Sequence, residues 1–118
     1  MRFTKLKNDI INETIFRITS KEDAKSINDI SKNEFGYSDC TESLVLQKFQ
    51  KIDFENEVVF VAEYKKKVIG FVHAQIYDVL YYESMVNILD LAVDSKFTKN
   101  ELVNLLWQKL KNGQNLKV

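Results

Sequence analysis

The sequence predicts a single α+β (mixed α/β) domain with the element order β-α-α-β-β-β-α-β. Three observations lead there. The chain has 118 residues, 45% of them apolar, which suits one ordinary domain with a modest core. Its apolar spacing is helical in the first half and switches to a period of two near Glu57. After the third strand of that run come a helical stretch and a short β-prone tail, the layout of a β-α-β crossover between parallel strands.

Each element has a local reason. Residues 1–13 are polar and mixed, and are expected to form a loose arm. "IFRI", Ile15–Ile18, alternates and is β-prone. In "SKEDAKSINDISKNEF", Ser20 and Asp23 make a capping-box pattern, and Ala24, Ile27, Ile30 and Ser31 share a helix face. Gly36 ends that helix. Thr41 is a good N-cap for the next one, with Leu44, Val45, Phe49 and Ile52 at helical spacing. "EVVFVAEY" and "VIGFVHAQIY" read as a hairpin turning at "KKK", a solvated tip. "DVLYYES" is a loop leading to the strand "MVNILDLAV". In "TKNELVNLLWQKLKN" the residues Leu102, Leu105, Leu106, Lys109 and Leu110 share a face, and Gly113 is a C-cap candidate. "NLKV" is the last strand.

Composition narrows the function classes. Lys+Arg and Asp+Glu number 17 each, which argues against a dedicated nucleic-acid binder. Cys40 and His73 are the only residues of their types, so neither a disulfide within the chain nor a zinc cluster is expected. No apolar run is long enough to span a membrane and no signal-peptide core is visible, so the expected compartment is the cytoplasm.

In the order of these segments the chain resembles the GNAT family of N-acetyltransferases. "IFRITSKEDAKSINDI" is similar to the family's first strand and helix, and "VVFVAEYKKKVIGFVHAQI" to its second and third strands, with Gly70 after two β-branched residues. "ILDLAVDSKF" is similar to its fourth strand and the start of its cofactor motif. The resemblance runs from Ile15 to the C-terminus. It implies acetyl-CoA as co-substrate, contacted by main-chain groups around Leu91, Ala92 and Val93. It also implies a pyrophosphate turn of pattern R/Q-x-x-G-x-G/A at Thr98, Lys99, Asn100, Glu101, Leu102 and Val103. Here Thr98 replaces the Arg or Gln, and Glu101 and Val103 replace the glycines, so a negative charge and a side chain stand near the anion's approach. Thr98 and Glu101 also fit a plain capping box. The family ordinarily continues past its fifth strand with a helix and a hairpin, which this chain lacks; that part often supplies a tyrosine acid.

Acetyl transfer to an amine needs a base for the ammonium proton. The candidates are Asp90, within the apolar run "ILDLAV", and Glu83. The alternative for Asp90 is a solvent-facing strand carboxylate. His73 reads as a partly buried, hydrogen-bonded histidine sharing a face with Ile69 and Phe71. Tyr77, Tyr81 and Tyr82 border the region where the resemblance places the acceptor, and could wall an amine pocket or close the sheet end. Two readings follow: an acetyl-CoA-dependent N-acetyltransferase acting on an amine of a small molecule or a protein, with an altered turn that leaves room for weakened or lost activity, and a non-catalytic GNAT-like binding or assembly module. An unrelated α+β interaction domain is a third. A terminal strand with an open edge implies a homodimer.

Overall fold

A computed structural model describes residues 12–97 and 99–114. Four strands form one sheet in the order β1-β2-β3-β4: β1 Ile15–Ile18, β2 Glu57–Tyr64, β3 Lys67–Val79 and β4 Tyr82–Val93. Each neighbouring pair is antiparallel; short turns demand it for β2–β3 and β3–β4, while β1 joins β2 across the intervening helical segment. Among the described residues, the helices α1 Ala24–Phe35, α2 Glu42–Gln50 and α3 Lys99–Gln114 cover it. The expected last strand "NLKV", and with it the parallel pairing, lies outside the described residues. So do Thr98 and most of the N-terminal arm.

The helix ends follow their capping chemistry. Ser20 N–H donates to Asp23 Oδ2 at 2.9 Å before a short 3-10 turn that leads into α1. Gly36 closes α1 with φ 72°, a left-handed conformation that glycine adopts without a Cβ clash. Thr41 Oγ1 accepts from Leu44 N–H at 3.1 Å and starts α2. Gly113 does not cap α3, which continues through it to Gln114.

The sheet is covered on both faces, and this is why "VVFVA" and "VIGFV" read as nearly unbroken apolar runs. On one face Val58, Phe60, Val72, Ala74 and Val93 pack against Leu102, Leu106 and Leu110 of α3. Lys109, placed on that face by spacing, is exposed. On the other face Val61, Phe71 and Ala92 meet Ile30 and Ile27 of α1. Arg17 fastens β1 to the entry of α1 with two 2.8 Å bonds to Asp23, and its guanidinium also lies 3.4 Å from Glu63 on β2.

Two departures from strict alternation matter, and one loop is shorter than expected. Ala62 pairs with Gly70 and Glu63 with Val68, so Ile69 is an extra residue. It packs with the α3-side core, while Phe71 faces α1; the face shared by His73 therefore includes Phe71 but not Ile69. In β4 the pairing steps from His73–Asp90 to Ala74–Ile88, leaving Leu89 as the extra residue. "DVLYYES" is mostly strand: β3 runs to Val79, only Leu80 and Tyr81 turn, and Val79 pairs with Tyr82.

Candidate functional site

Helix α2 is amphipathic, yet none of its residues is buried. Its apolar side stands off the sheet and walls a cleft of about 220 Å³. The opposite wall is Ile27, Ser31 and Phe35 of α1, with Cys40 between the helices. Leu44, Val45, Lys48 and Phe49 line the α2 side, and Ile52 follows it. The sheet forms the floor through Val59, Phe71, His73 and Asp90.

Two polar floor residues stand against an apolar enclosure, and strand register puts them together. His73 on β3 pairs with Val59 on β2 and with Asp90 on β4. Glu57, two residues before Val59, points to the same face by the period of a strand. His73 Nε2 lies 2.8 Å from Glu57 Oε1, and His73 Nδ1 lies 3.7 Å from Asp90 Oδ2. Asp90 and then Glu57 hold the imidazolium above its ordinary 6.5 against the opposing effect of burial. Because a carboxylate at Glu57 only accepts, Nε2 carries the hydrogen in the neutral ring, and Nδ1 is the nitrogen that turns basic. Asp90 is half-exposed, so its carboxylate is open to a ligand in the cleft.

The bulge at Leu89 decides this arrangement. Counted by strict alternation, Ile88 and Asp90 share a face. Yet Ile88 packs with the α3-side core, while Ala92, two residues beyond Asp90, packs with α1. The extra residue switches faces between them and frees Asp90 from the main core.

Glu83 is elsewhere. It sits at the hairpin end of β4, seven residues from Asp90, or about 23 Å along an extended strand. Tyr77, Tyr81 and Tyr82 are exposed around the same hairpin tip and do not line the cleft. Glu57 and His73 form the pair that single-residue reading missed. Counting back from the "KKK" turn without a bulge pairs Glu57 with Ala74, on the other face from His73; the extra residue Ile69 is what brings Glu57 opposite Gln75 and diagonal to His73.

The β4 edge bears on the cofactor positions. Asp94 N–H donates to Ile69 C=O at 2.8 Å, so by alternation the main-chain groups of Leu91 and Val93 face away from β3. No described strand pairs with that edge. An extended amide-bearing chain could add there as a strand does. The side chains of Ala92 and Val93 are buried and anchor the edge. In the loop that follows, Ser95 N–H donates to Glu34 Oε2 at 3.2 Å and Lys96 N–H to Asp94 Oδ1 at 3.0 Å. Those two donors are already engaged by carboxylates. Helix α3 begins at Lys99, so its first-turn N–H groups belong to Lys99, Asn100, Glu101 and Leu102. Leu102 is fully buried and Val103 is partly buried against the α3-side core. Thr98 lies outside the described residues.

A family model described as "Acetyltransferase (GNAT) family" matches residues 24–112. The fold is similar to that of a GNAT family acetyltransferase from Staphylococcus aureus, with TM-score 0.71, 18% identity, and 86% of this chain and 77% of that chain covered. It is similar to glucosamine-6-phosphate N-acetyltransferase from Arabidopsis thaliana, with TM-score 0.71, 18% identity, and coverage of 84% and 72%. It is also similar to an aminoglycoside acetyltransferase from an uncultured soil metagenomic sample in complex with sisomicin, with TM-score 0.69, 24% identity, and coverage of 88% and 71%. No curated protein matches the chain.

Proposed function

Because this chain belongs to the acetyltransferase (GNAT) family, we propose that it transfers an acetyl group from acetyl-CoA to an amine bound in the cleft between the α1–α2 wall and the sheet. The observation that carries the reading is His73 beside Asp90 on the floor of a largely apolar cleft, with Glu57 holding the far nitrogen of the His73 ring. Acetyl-CoA, when bound, supplies the acetyl group as a thioester. The outward main-chain groups of Leu91 and Val93 would hold its extended arm, and the first turn of α3 would face its phosphates.

The chain's own residues handle the proton. Asp90 accepts a hydrogen bond from the acceptor's ammonium and fixes its position. His73, oriented through Nε2 by Glu57, takes the proton at Nδ1 and frees the nitrogen lone pair for attack. The nitrogen–acetyl bond forms, the carbon–sulfur bond breaks, and the second proton given up by the nitrogen completes the released thiol. A base with its pKa lifted above 6.5 suits this task better than an ordinary carboxylate, since it sits nearer the working pH. Activity should therefore rise with pH as His73 loses its proton.

Release of free CoA thiol tests the reading. Acetyl-CoA should be offered with phenethylamine, spermidine, glucosamine 6-phosphate and sisomicin; the last two are acceptor chemistries of structural neighbours. Thiol release that depends on an amine, and falls sharply in His73→Gln and Asp90→Asn, is the expected result. No release with any amine, together with no heat on titrating acetyl-CoA, would rule the reading out.

The engagement of the Ser95 and Lys96 N–H groups by Glu34 and Asp94 favours a second reading. With those donors occupied the loop offers less to a phosphate, as in a non-catalytic module that has kept the fold. A homodimer is carried forward on the exposed tip at Tyr77, Leu80, Tyr81 and Tyr82. A monomer in sedimentation at high concentration would exclude it.

A further inference from the structure

Acetyl transfer by itself leaves the acceptor open, but the walls of the cleft narrow it. We propose that the cleft selects a primary monoamine carried on a compact hydrophobic body, an aryl- or alkyl-amine, with the ammonium on Asp90 and the apolar body against α2.

This inference rests on the acetyl-transfer reading only for which cleft holds the acceptor. Four observations carry it. The enclosure above the floor is apolar, with Phe35, Val45, Phe49 and Ile52 among its walls. These side chains are only partly covered or exposed, so a hydrophobic ligand would remove real apolar surface from water. The floor carries Asp90, whose half-exposed carboxylate faces the cleft beside His73, and a cation complements it. The helical wall contributes Lys48, which faces the same space and opposes a second ammonium. The volume of about 220 Å³ is that of about seven waters in the liquid. It suits one ring or a short alkyl chain, whereas a multi-ring amino sugar would leave most of its hydroxyls against hydrocarbon without partners.

Titration calorimetry of the full chain without cofactor, using phenethylamine, is the first test. Phenethylamine should bind, and its neutral isostere phenylethanol should bind about tenfold more weakly, because an ionic hydrogen bond to Asp90 is lost. Asp90→Asn should remove that discrimination. Val45→Asn should weaken phenethylamine about tenfold by placing an amide against the ligand's apolar body. If that variant does not fold, Leu44→Asn, at a position already 39% exposed, serves in its place. Tighter binding of spermidine or glucosamine than of phenethylamine would overturn the proposal, as would an unchanged phenethylamine affinity in the α2 variant. Turnover separates the two readings. Phenethylamine that binds as described without thiol release supports the amine site and sinks the transferase. Thiol release with spermidine or glucosamine alone supports the transferase and overturns the acceptor class.

Discussion

Replacing Glu57 by Gln removes one of the two charges facing His73 while keeping the side chain's shape. The two groups lie 2.8 Å apart, and both side chains are about one-fifth exposed, 22% and 21%. At that separation the pair is worth about 1.5 kcal/mol in a water-like dielectric and about 6 kcal/mol at an effective dielectric of 20. Desolvation of the two charges offsets most of the larger figure. The expected net loss is about 1–2 kcal/mol when His73 is protonated. Unfolding entropy of about 2.1 cal/mol/K per residue over this chain makes that about 4–8 °C in Tm. The sign with pH follows from the raised folded-state pKa. The stabilisation is complete below the unfolded value near 6.5 and fades as pH rises through the higher folded value. Melts of wild type and variant should therefore differ most in mild acid and converge in mild base. His73 is the chain's only histidine, so its ring-proton NMR signals are unambiguous. The wild-type titration midpoint should lie above 6.5 and move down in Glu57→Gln, and the acid limb of activity should move with it. A wild-type midpoint at or below 6.5, or one unmoved by the substitution, would refute the assigned geometry.

Three further outcomes concern the frame around the site. Asp23→Ala should cost about 2–3 kcal/mol in urea denaturation, through two charge-assisted bonds from Arg17 and the bond from Ser20 N–H. Burial alone would raise the Asp23 carboxyl, but Arg17 and the Ser20 N–H outweigh it and hold it low. Its contribution is accordingly present above the unfolded value near 3.8 and is lost as pH falls through the folded one; a wild type no more acid-sensitive than the variant would contradict this. Gly70→Ala should cost about 1–3 kcal/mol, because the new Cβ would lie 3.1 Å from the Ala92 carbonyl and 3.2 Å from Val93 Cγ2. The same substitution should weaken acetyl-CoA binding measured by calorimetry, since it presses on the β4 edge. Lys65→Asn with Lys66→Gly should stabilise by about 1 kcal/mol, read as a higher Tm, because both lysines hold positive φ (49° and 66°) in a two-residue turn that Asn-Gly favours.

Local chemistry was legible in the sequence. Thr41, Ser20, Asp23 and Gly36 marked helix ends because capping uses atoms within a few residues of one another. The switch of apolar period at Glu57 marked the first residue of β2, since a strand buried on both faces must be apolar at nearly every position. The family could be read from the order of segments. What the tertiary structure decided depends on counts that change by one. The extra residues at Ile69 and Leu89 shift side chains from one face to the other, and nothing in "VIGF" or "NILDL" announces a bulge. Only with those shifts in place do Glu57 and Asp90, from the two neighbouring strands, flank His73, and do His73 and Asp90 share the floor of one cleft. The same holds for α2, whose spacing reads as a core-facing helix. Its distance from the sheet depends on α1 and the connection at Cys40, so only the assembled fold turned its apolar side into the wall of a site.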